Sequence, residues 1–188
     1  MLEDAGVDNV TDVWIPPVTT GCNIVVQIHK RYRGHTQQVA NALWGTSAGQ
    51  WFFNNVMMIE EDIDIQNREA HDWAMGFRVN AGEGQLQTFG GTFGSVLDPS
   101  VAHNTIDVPR YGTGSWTRVL IDATRNWNIE PNPDLDVRRM APINVIPPET
   151  EQKIRDLWSE YGIGVPYLDD DQREMLTLEQ MRKILPDV

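Results

Sequence analysis

Residues 56–59, with the sequence VMMI, constrain the fold more than any other segment. They form a short, continuously apolar run that ends abruptly at the acidic sequence EEDIDI. Such a run is typical of a strand buried on both faces of a parallel sheet. Helical spacing follows, which predicts an amphipathic helix whose inner face carries Ala70, Trp73, Ala74 and Phe77.

Other segments extend this strand–helix alternation. Strands are predicted over residues 10–15, 24–28 and 119–121, and helices over 36–48 and 149–161. The glycine-rich stretch 80–117 is interpreted as a long loop. A capping box, Thr177 with Gln180, predicts a last short helix. The fold class predicted is α/β, a three-layer α/β/α sandwich with a mostly parallel sheet and a C-terminal helical tail.

Charge and composition narrow the function classes. The 188 residues carry a net charge of −12, which argues against nucleic-acid binding and against an anionic membrane surface. Cys22 is the single cysteine, so no internal disulfide is possible. No apolar run approaches membrane-spanning length, and the N-terminus does not resemble a signal peptide. We therefore expect a cytoplasmic protein with neither nucleic acid nor membrane as partner.

The four carboxylates of the acidic turn, Glu60, Glu61, Asp62 and Asp64, allow two interpretations. They could form a cation or acid/base site, because ligands bind where parallel strands end. Alternatively, Asp62 and Asp64 could satisfy turn and helix-start amides, with Asp64 or Asn67 as the helix N-cap. The glycine and distal glutamate of an EF-hand are absent. Acidic first turns are common, so the structural interpretation is favoured.

The remaining candidate residues give weaker signals. The four histidines lack zinc-site spacing, and only His35, in the turn YRGH, is placed like a site residue. Arg118 follows a glycine-rich loop and precedes a buried strand, where a guanidinium can grip a phosphate, although a surface arginine is the alternative. Trp73 and Trp158 are assigned to the core, although an aromatic pocket could be lined by any of six tryptophans: Trp14, Trp44, Trp73, Trp116, Trp127 and Trp158.

Several motifs, in this order, resemble the C-terminal part of the UbiD family, carboxylases and decarboxylases that use prenylated FMN. They are VTDVWIPP, IVVQIHKRYRGHTQQVANALWG, VMMIEEDIDIQNREAHDWAMGFR, SVLDP, TRVLIDATRNW and WSEYG. The resemblance spans about residues 5–166. It implies a UbiD-like C-terminal α/β domain over residues 1–166. The tail, residues 167–188, is expected to pack on another subunit. In the family the acidic turn closes a strand, which again favours a structural role.

The resemblance also implies a missing lobe. Family members are far longer, and the flavin-binding lobe, with its manganese ligands and its acid/base arginine and glutamates, has no counterpart here. This chain is expected to be inactive alone and to pair with that lobe, on another segment or chain, in a homo- or hetero-oligomer. The implied cofactor is prenylated FMN, with manganese and potassium ions bound mainly by the missing lobe.

Some family roles transfer to residues of this chain. The resemblance implies that Arg118 contacts the cofactor phosphate. No catalytic residue and no metal ligand is assigned here. Two stretches depart from the family pattern, FRVNAGEGQLQTFGG and everything after Tyr167, which leaves the substrate open. The residues implied to line the substrate side are Thr11, Ile15, Thr124, Arg125, Ile163 and Val165.

The function implied is reversible, non-oxidative decarboxylation or carboxylation of an aromatic or α,β-unsaturated carboxylic acid. The KRYRGH turn favours the aromatic branch. Two alternatives remain open at this point. One is a non-catalytic α/β binding or scaffold module, and the other is an independent enzyme that holds a metal on the EEDIDI carboxylates.

Overall fold

The structure, a computed structural model, describes residues 2, 5–92, 98, 100, 116–135, 139–140 and 146–162. The chain forms two compact units, Met1–Met140 and Ala141–Val188. The predicted domain boundary at residue 166 lies outside the described residues and stays a prediction. Within the described part of the chain, no helix is both long and apolar enough to cross a bilayer.

A five-stranded mixed sheet forms the centre of the first unit, in the order β1-β2-β3-β5-β4. The three central strands β2, β3 and β5 run parallel, and the edge strands β1 and β4 are antiparallel to their neighbours. The predicted α/β class is confirmed, and the parallel pairing is confined to the sheet centre. The strands are β1 Val10–Trp14, β2 Asn23–Ile28, β3 Asn55–Glu60, β4 Leu86–Thr92 and β5 Trp116–Asp122.

The described residues contain three α-helices, two in the first unit and one in the second. Helix α1 connects β2 to β3, and α2 follows the acidic turn after β3. In the second unit α3 is followed by a 3-10 turn, and the segment stops at Gly162, whose φ of 69° is the left-handed conformation that glycine tolerates. The helices are α1 His35–Gly45, α2 Arg68–Arg78 and α3 Pro148–Asp156.

Strand β4 corrects the prediction that residues 80–117 form one long loop. It pairs antiparallel with β5 along the sheet edge. The sequence pattern does not predict this strand, because Gly90 and Gly91 lower strand propensity and interrupt the alternation of side chains. Gly91 has a φ of 71°, and the register with β5 shifts between Phe89 and Thr92, as expected of a bulge.

The main core lies between α1 and one face of the parallel strands. Alternate residues of β2, β3 and β5 point to this face, as the two-residue period of a strand requires. They meet the apolar stripe of α1, and the whole set is almost inaccessible to water. Its principal members are Ile24, Val26, Ile28, Val56, Met58 and Leu120 of the sheet, and Val39, Ala40 and Leu43 of α1.

Helix α2 turns a different side inward from the one predicted. Its buried residues are His71, Ala74 and Arg78, whereas Phe77 is 69% exposed and Trp73 only half-buried. Two polar contacts set this rotation: His71 packs on Trp14 of β1 at 5.5 Å between ring centroids, and Arg78 pairs with the acidic turn. The inner face predicted from apolar spacing is therefore wrong at Phe77.

The far half of the sheet leaves apolar surface accessible on the face opposite α1. Register aligns Met57 with Ile121, and Ile121 with Leu86, so these side chains share one face with Val119. Met57, Val119 and Ile121 are only half-buried, and Leu86 is 39% exposed. We refer to Met57, Leu86, Val119 and Ile121 as the open sheet face.

Leu120→Ala should lower the free energy of unfolding by about 2–5 kcal/mol, because the deletion leaves a cavity in the α1 core. Leu86→Ala deletes the same atoms from the open sheet face and should cost less than about 1 kcal/mol. Urea unfolding of the two variants measures the difference. Equal losses would contradict the assignment of the core.

Candidate functional site

Polar side chains collect at the carboxyl ends of β2, β3 and β5. His29 and Lys30 follow β2, Glu60 ends β3, and Asp122 ends β5. Because the three strands are parallel and adjacent, their carboxyl ends meet at one edge of the sheet. Ligands of open α/β sheets bind outside this edge. We call this region the carboxyl edge.

A buried ion pair ties β2 to β5 at the carboxyl edge. Lys30 Nζ lies 3.6 Å from Asp122 Oδ2, and both side chains are only 6% exposed. Lys30 Nζ also donates to Thr124 Oγ1 at 2.7 Å, and Asp122 accepts from the Thr36 hydroxyl at 2.8 Å and from the Thr124 amide at 3.1 Å. Each buried charge thus has several partners, which offsets the cost of removing it from water.

A second buried carboxylate, Glu60, orders the segment after β5. It accepts from the Arg125 amide at 2.6 Å and from Arg125 Nε and Nη2 at 2.9 Å each. The hydrogen bond to Glu60 is the main cause that raises the pKa of Arg125. Arg78 Nη1 lies 4.0 Å from Glu60, and Arg78 donates two hydrogen bonds, of 3.1 and 2.6 Å, to Asp62.

The remaining acidic-turn carboxylates have separate partners. Glu61 pairs with His29 Nδ1 at 3.0 Å on the surface, and Asp64 accepts from the Gln66 amide at 3.0 Å. Asn67 is the N-cap of α2 and accepts from Ala70 N at 3.0 Å. The structural interpretation is confirmed for Asp64, whereas Asp62 holds Arg78 instead of an amide. The described residues contain no cluster of three or more His, Cys, Asp or Glu side chains that could hold a metal.

A cavity of about 310 Å³ opens at the carboxyl edge, and a smaller one of about 190 Å³ shares Lys30 and Trp127 with it. The Trp127 carbonyl accepts from Arg33 Nη2 at 3.1 Å and from Arg139 Nη1 at 3.3 Å. The Arg139 guanidinium lies 5.7 Å from the Trp127 ring centroid. The larger cavity is lined by Ile28, His29, Lys30, Glu60, Glu61, Arg125, Trp127 and Arg139.

His35, the one histidine that the sequence placed like a site residue, lies buried at the start of α1. Its Nε2 bonds to the Asp8 carbonyl at 3.2 Å, and its Nδ1 accepts from Arg31 N at 3.4 Å. Burial lowers the pKa of His35, and the nearby cations add to that effect. The ring therefore joins the basic turn to the segment before β1, and it does not line either carboxyl-edge cavity.

Arg118 lies elsewhere, four residues before Asp122 on β5 and about 13 Å along the strand. Its two Nη atoms donate to the Gly49 and Gln50 carbonyls at 2.8 and 2.9 Å. The guanidinium lies 5.6 Å from the Trp44 ring centroid, and burial lowers the pKa of Arg118. It forms part of a shallow, largely apolar groove of about 440 Å³ with Asn41, Trp44, Gly45, Gln50, Phe89 and Thr92.

The predicted substrate-side residues fall into three groups. Arg125 lines the carboxyl-edge cavity, Thr124 is buried behind it, and Thr11 hydrogen-bonds Gln27 near the end of β2. Ile15 follows the carboxyl end of β1. Because β1 is antiparallel to β2, this end lies at the sheet edge opposite the carboxyl edge, and the Ile15 side chain is exposed. Residues 163 and 165, predicted as Ile163 and Val165, lie outside the described residues.

Sequence reasoning missed Lys30 and Arg139 as lining residues. A signal existed for Lys30, because it follows a predicted strand directly, as Glu60 does. Trp127 was named only as one of six tryptophans that could line a pocket, and no signal existed for Arg139, whose segment has no periodic pattern to place it. The position of Arg139 depends on its hydrogen bonds to the backbone carbonyls of Trp127 and Ile129, which a sequence does not show.

The sequence profile of the 3-octaprenyl-4-hydroxybenzoate carboxy-lyase C-terminal domain matches residues 1–123, well over half of the chain. The chain belongs to the UbiD family. The match covers the whole described sheet of this UbiD domain, from β1 through the end of β5. The family resemblance predicted from the motifs is confirmed.

Solved structures agree with this assignment. Vanillic acid decarboxylase of Sedimentibacter hydroxybenzoicus, in its open form, is 27% identical, with a TM-score of 0.58 over 86% of this chain. Two others share the fold at lower identity. The UbiD-class enzyme HmfF from Pelotomaculum thermopropionicum, in complex with FMN, is 21% identical, with a TM-score of 0.57 over 80% of this chain. The 3,4-dihydroxybenzoic acid decarboxylase of Enterobacter cloacae is 23% identical, with a TM-score of 0.57 over 81% of this chain. The UbiD domain spans about three tenths of each: 31%, 29% and 30%.

Asp62→Asn should destabilise the UbiD domain at neutral pH by roughly 1–2 kcal/mol, since it weakens a charge-assisted bond to buried Arg78. Burial alone would raise the pKa of Asp62, but the hydrogen bonds and charge of Arg78 outweigh it, and the pKa is lowered. A lowered pKa in the folded state gives stability above the unfolded pKa that is lost as pH falls through the folded pKa.

The difference between wild type and Asp62→Asn should therefore shrink as the pH falls from about 5 to below the usual aspartate range. Urea unfolding at a series of pH values measures it. Asp72→Asn removes an equal charge from an exposed position of α2 and is the matched control. A difference that is constant with pH, or one that Asp72→Asn reproduces, would contradict the role of the Asp62–Arg78 pair.

Proposed function

We propose that this chain is the C-terminal lobe of a UbiD-like enzyme that reversibly decarboxylates or carboxylates an aromatic acid. One observation carries the proposal: the chain matches a carboxy-lyase C-terminal domain and corresponds to about three tenths of the solved relatives. The flavin-binding and acid/base lobe would then belong to another segment or another chain, in the same cytoplasmic homo- or hetero-oligomer.

The open sheet face supports a missing partner lobe. Met57, Val119 and Ile121 are half-buried strand residues of a parallel sheet, whose two faces are normally covered. Leu86 extends the same apolar surface towards the β4 edge. A second lobe that packed on this face would bury all four side chains, each contributing about 25 cal/mol for every Å² removed from water.

The proposed cofactor is prenylated FMN, and manganese and potassium would be held mainly by the partner lobe. The Arg118 groove fits an anionic phosphate beside a flat ring system: it combines one buried guanidinium with the aromatic side chains Trp44 and Phe89. When bound, the cofactor supplies an electron sink for the electrons left by departing carbon dioxide. Arg118 would hold the phosphate, already oriented by its bonds to the Gly49 and Gln50 carbonyls.

The chain's other residues would bind and orient substrate. Thr11, Thr124 and Arg125 would lie on the substrate side, with Arg125 held in one orientation by its three bonds to Glu60. Ile163 and Val165 would supply apolar walls that exclude water around the reacting carboxylate. Rigid support of this kind reduces the entropy lost on reaching the reactive geometry.

An aromatic substrate is favoured over a simple unsaturated acid. The 27%-identical relative acts on vanillic acid, and that enzyme has been observed in open and closed forms. A comparable closure would bring this lobe over the cofactor cleft and sequester the reaction from water. The KRYRGH turn supports the same branch.

Arg118→Ala should reduce flavin retention in the assembled enzyme by about tenfold or more, because a charge-assisted contact to the phosphate is lost. The flavin-to-protein ratio from the absorbance spectrum measures retention. Arg68→Ala, at the exposed start of α2, is the matched control. Since Arg118 is buried, Arg118→Lys tests the same position if the alanine variant does not fold. Full flavin occupancy in a folded variant would remove Arg118 from the site.

A further inference from the structure

We propose that the turn after α1, residues 46–50, is a positioning element for Arg118, and that Thr46 and Gly49 are its positioning residues. The inference rests on the proposed contact between Arg118 and the cofactor phosphate, and it deepens that contact. Thr46 and Gly49 act without touching cofactor or substrate. They hold the backbone carbonyls that orient the guanidinium.

The Thr46 side chain ties this turn to the end of α1. Its hydroxyl donates to the Leu43 carbonyl at 2.7 Å and accepts from the Gly49 amide at 3.0 Å. The Gln50 amide donates to the Thr46 carbonyl, also at 3.0 Å. Because a peptide group is planar, the bond made by the Gln50 amide also fixes the direction of the Gly49 carbonyl.

Gly49 allows the turn to approach the helix this closely. A Cβ atom at this position would lie 1.9 Å from the Leu43 carbonyl oxygen and 2.9 Å from Thr46 Oγ1. The first distance is far shorter than a van der Waals contact, and the atom concerned is part of the helix backbone. Any side chain at position 49 would therefore push the turn, with its two carbonyls, away from α1.

Arg118 is oriented by this turn and by two indole rings. Its Nη1 donates to the Gly49 carbonyl at 2.8 Å, and its Nη2 donates to the Gln50 carbonyl at 2.9 Å. The guanidinium carbon lies 5.6 Å from the Trp44 ring centroid and 5.7 Å from that of Trp116. Neutral carbonyls and ring faces orient a guanidinium without cancelling its charge, so the charge stays available to a phosphate.

The two indole rings are themselves anchored. Trp44 Nε1 donates to the Phe53 carbonyl at 2.7 Å, and Trp116 Nε1 donates to the buried Asp98 carboxylate at 2.6 Å. A contact group held by fixed neighbours loses less side-chain freedom when its ligand binds. The turn is the part of this support that depends on single hydrogen bonds, so its loss should weaken binding without removing the charge.

Thr46→Val in the assembled enzyme tests the proposal, because valine keeps the shape of threonine but lacks the hydroxyl. We expect flavin loss during dialysis, followed by absorbance, to be about three- to tenfold faster, the effect of one lost hydrogen bond. Amide hydrogen exchange in residues 46–53 should also be faster. Thr46→Ser keeps the hydroxyl and should behave as wild type. Ser47→Ala removes a hydroxyl from the exposed neighbouring position and is the matched control.

Combining Thr46→Val with Arg118→Lys shows whether the turn acts through Arg118. Lysine cannot reproduce the paired bonds to two carbonyls, so Thr46→Val should cause no further flavin loss in that background. Equal losses in both backgrounds, or wild-type flavin loss and exchange in Thr46→Val, would overturn the positioning role.

If Thr46→Val does not fold, hydrogen exchange of the wild-type enzyme decides. Gly49 and Gln50 amides that exchange as fast as those of an unstructured peptide would then overturn the positioning role. Failure of the proposed function gives a different result, which is full flavin retention in folded Arg118→Ala. That result would remove the phosphate contact itself, whatever Thr46→Val does.

Discussion

The buried Glu60 carboxylate is the interaction on which the carboxyl edge depends. Glu60 is the last residue of β3, the middle one of the three parallel strands, and its side chain is only 5% exposed. An unpaired carboxylate there would be costly, so its environment must supply cations and amides. Arg125 supplies three hydrogen bonds from the segment after β5, and Arg78 of α2 completes the surroundings. One charge thereby joins a strand, a helix and the cavity wall.

The same requirement explains why apolar spacing predicted α2 incorrectly while predicting the core of α1 well. In α1 the buried side chains Val39, Ala40 and Leu43 meet an apolar sheet face, and periodicity alone identifies them. In α2 the inward residue Arg78 is polar, because it serves the acidic turn. A pattern that counts apolar residues places Phe77 inside, where the ion pair requires Arg78.

The α/β class, four of the strands and the presence of α1, α2 and α3 were therefore predictable from sequence patterns, whereas the predicted last short helix lies outside the described residues. Strand β4 was not predictable, since Gly90 and Gly91 lower its strand propensity and its pairing depends on β5, which is distant in sequence. Individual site residues were less predictable still. Arg125 could be named from a family resemblance, but Arg139 reaches the cavity through its hydrogen bonds to the Trp127 and Ile129 carbonyls.

We propose that this UbiD domain is one lobe of a larger catalytic unit. Native mass spectrometry of the complex as it occurs in cells, combined with its absorbance spectrum, tests that claim most directly. We expect a flavin chromophore and additional polypeptide mass that contains the flavin-binding lobe. Decarboxylase activity in a species that consists of these 188 residues alone, with no flavin and no additional polypeptide, would contradict it.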